Sequence, residues 1–282
     1  MTAKTTKPLT LGHSPDPDDA FMFYALAGQP KIDTEGLAFE HVLADIQTCN
    51  ERAERSELDI TALSLHGYTY VADKYKMTTC GASVGDGYGP LLVSKTARTR
   101  EQLRDVPIAV PGARTTAYLA LKLYFPQAKT KSMAFDAILD AVAAGTEDVG
   151  LLIHEGQLTW GDYGVHKVED LGAWWKRETT LPLPLGINAV RRDLPDELQR
   201  KVQRVLHRSI EYGLEHRKEA LAYAKGFGRG IDDARNDRFV GMYVNDFTLD
   251  LGDRGRKGVT TLLQRAAAAG LVRADVPLDF VT

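Results

Sequence analysis

The chain has 282 residues, of which 44% are hydrophobic and 26% charged, so it carries enough apolar material for more than one lobe. Thirty-eight acids nearly balance 35 bases, which disfavours nucleic acid or an anionic membrane as a partner. The chain has only two cysteines, Cys49 and Cys80, and their number and spacing exclude a disulfide framework and a thiolate metal knuckle. The amino terminus lacks an apolar signal segment, and no stretch reaches the roughly 20 apolar residues of a membrane span. We therefore expect a cytoplasmic protein.

Short apolar strands alternate with helical patterns over the first two thirds of the chain, and helical patterns dominate the last third. The predicted strands span residues 9–12, 37–43, 59–63, 106–110 and 148–153. The predicted helices span residues 20–27, 45–56, 64–73, 115–125, 135–144, 194–223 and 246–270. Strand–helix–strand order of this kind indicates parallel strands joined by crossover helices, which is an α/β fold.

Two further predicted strands, 90–94 and 186–190, bracket the middle of the chain. We expect them to carry the chain between a discontinuous first lobe, residues 1–94 and 187–282, and a second lobe, residues 95–186. Ligands of open α/β sheets bind at the carboxyl ends of strands. The sequence therefore predicts a ligand cleft between the two lobes.

The turn Gly112-Ala113-Arg114-Thr115-Thr116 joins a predicted strand to a predicted helix. Glycine lets the backbone approach a ligand closely, and the N–H groups of a helix start and the two hydroxyls suit a carboxylate. A threonine N-cap beside an exposed arginine explains the same residues without any ligand.

Asp16, Asp18 and Asp19 lie together after the first strand. Their spacing is not that of a calcium loop, and one interpretation is favourable interaction with a helix dipole. Three acids would repel an anion, so a ligand that touches this segment should present a hydroxyl group.

His154 follows the apolar run from Val149 to Ile153 and is expected at the carboxyl end of a strand. Imidazole titrates near neutrality and suits proton abstraction, although a hydrogen-bonded structural histidine is the alternative. His13 and His66 also follow predicted strands, which opens the possibility of a three-histidine metal site. No ligand spacing supports that possibility, so we expect no metal.

Several motifs, taken in their order along the chain, resemble one family over nearly the whole length. They are residues 12–26 (GHSPDPDDAFMFYAL), Leu63-Ser64, residues 111–118 (PGARTTAY), residues 152–155 (LIHE), residues 184–186 (PLG), and residues 242–245 (MYVN) with Thr248. In these motifs the chain is similar to the 1,4-dihydroxy-6-naphthoate synthase family of the futalosine route to menaquinone.

The resemblance implies a two-lobed fold like that of type II periplasmic binding proteins. It also implies a lyase that cleaves cyclic dehypoxanthine futalosine, an aromatic carboxylate with a sugar-derived ring, to 1,4-dihydroxy-6-naphthoate without metal or organic cofactor. His154 would be the catalytic base, and Ser64, Thr115 and Thr116 would line the substrate site. Carboxylates near Asp18 would accept hydrogen bonds from sugar hydroxyls.

The chain departs from the family's usual opening motif, Ser-Pro-Cys-Pro-Asn-Asp-Thr. It has Asp16 in place of the cysteine, Asp18 in place of the asparagine and Ala20 in place of the threonine. These departures bear on the local contacts to substrate.

Two alternative functions share the implied fold. Chorismate dehydratase of the same pathway typically carries Gly-Asp where this chain has His154-Glu155, which favours the lyase. A solute-binding protein is the other alternative, because fold does not fix function, and the missing export signal counts against it.

Overall fold

The computed structural model describes residues 7–282; the first six residues, part of the amino terminus inspected for a signal, lie outside that range. The described chain divides into two compact units. The first unit contains the residues up to Val84, Gly186–Asp253 and Asp275–Thr282, and the second contains Gly85–Leu185 and Arg254–Ala274. Within residues 7–282, no helix combines the length and the apolar character needed to cross a membrane.

The described residues form strands and helices in alternation, with helices only after β11. The strands are β1 (Leu9–His13), β2 (Phe39–Leu43), β3 (Ile60–Ser64), β4 (Tyr75–Met77), β5 (Ser83–Gly85), β6 (Leu91–Ser94), β7 (Ile108–Val110), β8 (Thr130–Ser132), β9 (Val149–Leu152), β10 (His166–Asp170) and β11 (Leu183–Arg191). The helices are α1 (Pro17–Met22), α2 (Ile46–Glu54), α3 (Leu65–Val71), α4 (Thr116–Tyr124), α5 (Ile138–Ala144), α6 (Gly156–Thr159), α7 (Leu171–Thr179), α8 (Asp196–Glu215), α9 (Arg217–Ala224), α10 (Asp233–Tyr243), α11 (Asp246–Leu249) and α12 (Gly252–Ala268). The predicted α/β class is confirmed.

The sheet of the first unit has the strand order β2-β1-β3-β11-β4, with β5 paired to β11. Strand β1 is parallel to both β2 and β3, and Leu11 pairs with Ile60. The carboxyl ends of β1 and β3 therefore meet at one edge of the sheet, where the segments after His13 and Ser64 emerge. The apolar face of this sheet packs into a core with α1 and α8, and Phe21 and Val205 are fully buried there.

The sheet of the second unit has the order β10-β6-β9-β7-β8. Strand β7 is parallel to β8 and β9, whereas β6 runs antiparallel to β9 and β10. Helix α5 packs directly on β9, since a Cβ atom at Gly150 would clash with the side chains of Ile138 and Val142. Glycine at this position lets the helix approach the strand.

The two units differ from the predicted lobe boundaries in two places. The sequence places β6 in the first lobe, whereas β6 pairs with β9 and β10 in the second unit. The sequence also places α12 in the first lobe, but its residues from Arg254 onwards belong to the second unit. There α12 approaches the chain before β11, because Gly258 leaves room for the Pro182 carbonyl.

Three predicted helices are wrong in their extent. The predicted helix 194–223 is two helices, α8 and α9, which are separated at His216. Helix α1 begins at Pro17, whose fixed φ suits the first turn of a helix, and it ends before Phe23, where a short 3₁₀ turn (Tyr24–Leu26) follows. The predicted helix 246–270 is two helices, α11 and α12, because Asp250 has an extended backbone.

Candidate active site

The turn from Gly112 to Thr116 opens α4 immediately after β7. Gly112 has a φ of +144°, a conformation that a residue with a side chain rarely adopts. Thr115 is the N-cap of α4, and its hydroxyl oxygen accepts a hydrogen bond from the Tyr118 N–H. The helix start therefore lies at the carboxyl end of β7, as the sequence predicts.

The hydroxyl protons of both threonines point at backbone carbonyls. Thr115 Oγ1 donates to the Gly112 carbonyl at 2.8 Å, and Thr116 Oγ1 donates to the Leu185 carbonyl at 2.6 Å. Both threonines are buried. The N–H groups of the first helical turn, rather than these hydroxyls, are therefore the donors suited to an anion.

His154 lies between the end of β9 and the start of α6, with a φ of +51°. This left-handed backbone is unfavourable for a residue other than glycine, and such strain is concentrated at functional sites. Its ring packs on Phe135 with the centroids 4.7 Å apart and the planes tilted by 58°. The strained turn and the aromatic contact together fix the direction of the imidazole.

Strand pairing brings the two candidate segments of the second unit to the same sheet edge. Strands β7 and β9 are parallel neighbours, with Ile108 opposite Val149 and Ala109 opposite Gly150. The turn that starts at Gly112 follows one strand, and His154 follows the other. A helix start suited to an anion and a group suited to proton transfer thus emerge from adjacent strands.

In the first unit, Ser64 ends β3 and is held from two sides by Asn50 of α2. Asn50 Oδ1 accepts the Ser64 N–H at 3.0 Å, and Asn50 Nδ2 donates to Ser64 Oγ at 3.2 Å. The Ser64 hydroxyl acts as acceptor in this contact, which leaves its proton for another partner. Gly67 makes the arrangement possible, because a Cβ atom there would clash with Asn50.

Sequence reasoning missed Asn50. One signal was available: Asn50 is a polar residue on the buried face of α2, between Cys49 and Ala53. Buried polar side chains are hydrogen-bonded in native proteins, so this position indicates a specific partner.

The acidic turn, which we define as residues 14–19, is buried at Asp16, Asp18 and Asp19. Asp19 closes the turn, since its Oδ2 accepts the Ser14 N–H at 2.7 Å. Burial, together with the neighbouring Asp16 and Asp19 carboxylates, raises the pKa of Asp18 well above its ordinary value. A side-chain hydrogen bond with Asp16 contributes to the raised pKa, so a proton kept by Asp18 is engaged within the turn, and the carboxyl oxygens suit a hydroxyl group of a ligand.

His13 has both ring nitrogens engaged within the first unit. Nδ1 lies 3.0 Å from the Ser14 carbonyl oxygen, and Nε2 lies 3.0 Å from His41 Nδ1. Burial and the nearby His41 lower the pKa of His13 to about 4. His13 therefore has no ring nitrogen left for a metal ion, which removes it from the three-histidine site considered from the sequence.

Curated relatives align with nearly the whole chain. A 1,4-dihydroxy-6-naphthoate synthase from Thermus thermophilus is 40% identical over 263 residues, which cover 93% of this chain and 95% of the relative. A second protein of that name, from Streptomyces coelicolor, is 36% identical over 288 residues and is covered to 98%, as is this chain.

Solved structures agree in fold. Protein AF1704 from Archaeoglobus fulgidus has a TM-score of 0.90 and 45% identity, covering 95% of this chain and 100% of its own. A Candida albicans protein described as having the generic periplasmic binding protein fold has a TM-score of 0.64 at 12% identity, covering 97% of this chain and 98% of its own. The fold is therefore that of the periplasmic binding proteins. Residues 9–268 match the family model described as menaquinone biosynthesis, and with the relatives named above the chain belongs to this family of biosynthetic enzymes.

Proposed function

We propose that this protein is a cytoplasmic carbon–carbon lyase that cleaves cyclic dehypoxanthine futalosine to 1,4-dihydroxy-6-naphthoate. The observation that carries the proposal is His154, a strained histidine at the carboxyl end of β9. It emerges beside the strand that leads into the start of α4. The names of the curated relatives support the same reaction.

In this proposal His154 is the general base. Removing a hydroxyl proton from the substrate opens its spiro-fused sugar ring, and a retro-aldol step then breaks the carbon–carbon bond. His154 takes up the hydroxyl proton as a C=O bond forms on the sugar-derived fragment and the carbon–carbon bond breaks. The electron pair of the broken bond passes into the ring system as an enolate, which takes the proton back from the imidazolium to give an aromatic hydroxyl as the fragment leaves. General base catalysis by a positioned imidazole contributes about a hundredfold or more to such a step.

The substrate carboxylate is placed at the first turn of α4. The helix dipole and the N–H groups of this turn favour a negative charge. Thr115 keeps the turn in its helical geometry, and Thr116 holds it against the Leu185 carbonyl. The two residues thus position the donors in the second unit.

Ser64 and Asp18 of the first unit are assigned to the sugar-derived part of the substrate. The proton of the Ser64 hydroxyl is not used in its contact with Asn50, so it suits an oxygen of the ligand. The Asp18 carboxyl supplies oxygen acceptors for hydroxyl groups of this part of the substrate.

The test is to incubate the purified protein with cyclic dehypoxanthine futalosine and, separately, with chorismate, and to identify the products by mass spectrometry. Release of 1,4-dihydroxy-6-naphthoate supports the proposal. Loss of water from chorismate would identify a dehydratase, and binding without turnover would identify a solute-binding protein. His154→Asn should lose about a hundredfold or more in turnover, whereas His166→Asn, at an exposed position of β10, should not.

A further inference from the structure

His13 and His41 form a pair of imidazoles beneath the acidic turn. Leu11 of β1 lies opposite His41 of β2, and His13, two residues further along β1, lies on the same face of the sheet. Phe23 packs against both rings, with centroids 4.8 Å from His13 and 6.4 Å from His41. The pair is therefore held in one geometry by the sheet and by an aromatic neighbour.

The protons of this pair can be assigned from its contacts. The Ser14 carbonyl can only accept, so the His13 Nδ1 that lies 3.0 Å away carries a hydrogen. Burial and His41 lower the pKa of His13 to about 4, so near neutrality the ring is uncharged and its Nε2 is an acceptor. The donor to that nitrogen must then be the Nδ1–H of His41, 3.0 Å away.

The hydrogen bonds from His41 to His13 and from His13 to Ser14 end at the acidic turn. His13 holds the Ser14 carbonyl, and Asp19 holds the Ser14 N–H. Ser14 is thus fixed on both of its backbone polar groups, and the residues that follow it include Asp18. A change of the His13 tautomer would place a lone pair against the Ser14 carbonyl and release the first of these bonds.

We propose that His41 is a positioning residue, whose Nδ1–H selects the His13 tautomer and thereby fixes the acidic turn that carries Asp18. The structural part of this proposal stands alone. Its consequence for catalysis rests on the proposed function, because only there does Asp18 contact the substrate.

Groups near the two rings determine the pH at which the hydrogen bond between His13 and His41 breaks. Asp16, the N-cap of α1, and the Ser14 carbonyl favour a protonated His13, and His41 of β2 disfavours it. The Leu26 carbonyl favours a protonated His41. Protonation of His41 leaves its Nδ1–H in place, so the hydrogen bond survives that step. Protonation of His13 puts a hydrogen on Nε2 and removes that acceptor, so the contact with His41 should break as the pH falls towards the pKa of His13, about 4, while the Nδ1–H bond to the Ser14 carbonyl survives.

Two substitutions at His41 separate hydrogen bonding from packing. The amide nitrogen of Asn can take the place of Nδ1, so His41→Asn retains a donor, while His41→Leu fills the space without one. Hydrogen exchange of residues 14–19 at pH 7 should accelerate by about threefold to tenfold in His41→Leu, as expected for loss of one hydrogen bond. Exchange in His41→Asn should stay close to that of the wild type, as should exchange in the control variant His166→Asn.

Nitrogen NMR of the wild-type rings provides a readout that needs no variant. We expect hydrogen on Nδ1 of both His13 and His41 at pH 7. Hydrogen on Nε2 of His13, unchanged exchange in His41→Leu, or equal acceleration in the Asn and Leu variants would overturn the proposal.

Kinetics with cyclic dehypoxanthine futalosine extend the test to the substrate. His41→Leu should raise KM about threefold to tenfold with a smaller change in kcat, and His41→Asn should restore KM. If the wild type does not turn this substrate over, the proposed function fails, while hydrogen exchange and NMR still decide the role of His41.

Discussion

Thr116 Oγ1 donates a 2.6 Å hydrogen bond to the carbonyl oxygen of Leu185 and so fastens the start of α4 to β11. The hydroxyl is buried, and Leu185 is the last residue of its segment of the second unit. The contact therefore links the candidate anion site to the point where the chain returns to the first unit.

Thr116→Val should destabilise the protein because it leaves the Leu185 carbonyl without its donor. The expected loss is about 1–2 kcal/mol in the free energy of unfolding, measured by urea titration. Thr116→Ser keeps the hydroxyl and should recover most of that loss. Equal stability of the Val and Ser variants would contradict the assigned hydrogen bond.

Thr115→Ala should remove the N-cap of α4 at a cost of about 1 kcal/mol, and Thr115→Ser should restore it. Because the cap orients the first helical turn, the Ala variant should also bind product more weakly. Isothermal titration with 1,4-dihydroxy-6-naphthoate and with its decarboxylated analogue checks the assignment. If the Ala variant discriminates against the analogue as strongly as the wild type does, the carboxylate lies elsewhere.

The left-handed backbone at His154 is expected to lower the stability of the protein, while its side chain is needed for activity. Left-handed backbone costs a residue with a Cβ atom about 1–2 kcal/mol relative to glycine, so His154→Gly should be more stable than His154→Ala by about 1 kcal/mol. Both variants should be inactive. The control is Thr180, the left-handed C-cap of α7, where Gly should again be more stable than Ala but activity should persist. Thermal unfolding and turnover of the four variants test this pattern.

Asp18→Asn should stabilise the protein at neutral pH. The native pKa of Asp18 is raised above that of the unfolded chain, so the native state keeps a proton that the unfolded state has released. Stability of the wild type therefore falls as the pH rises above about 4 towards the native pKa, with a slope of up to about 1.4 kcal/mol per pH unit. The variant should lack this fall, and its advantage should vanish near pH 4.

The measurement for Asp18 is the free energy of unfolding from pH 4 to pH 8. Asp73→Asn, at an exposed position, is the matched control and should follow the wild type throughout. A constant difference between Asp18→Asn and the wild type at all pH values would show that Asp18 has no raised pKa.

The regular parts of the fold could be predicted where one local pattern decides the structure. The apolar run before His154 forms β9, and the helical spacing after Thr115 forms α4. The same patterns placed the candidate base and the helix start at the carboxyl ends of strands, because parallel strands share that polarity.

Such local patterns cannot predict contacts between residues that are far apart in the sequence. Asn50 and Ser64 meet because α2 packs beside β3, and His13 meets His41 because β1 and β2 pair in one register. Neither partner is marked by spacing along the chain. The placement of β6 failed for the same reason, since only its pairing with β9 and β10 assigns it to a unit.

The position of β11 in its sheet affects the order in which the chain can fold during synthesis. The second unit's sheet uses one continuous stretch, from β6 to β10, and is complete once Asp170 has emerged from the ribosome. The first unit's sheet must wait for β11, whose Gly186 pairs with Ser64, although β1, β2 and β3 were made first. The edge of β3 that pairs with β11 therefore stays unpaired while residues 65–182 are synthesised. We expect this nascent segment to depend on chaperones or on rapid elongation until Arg191 is made.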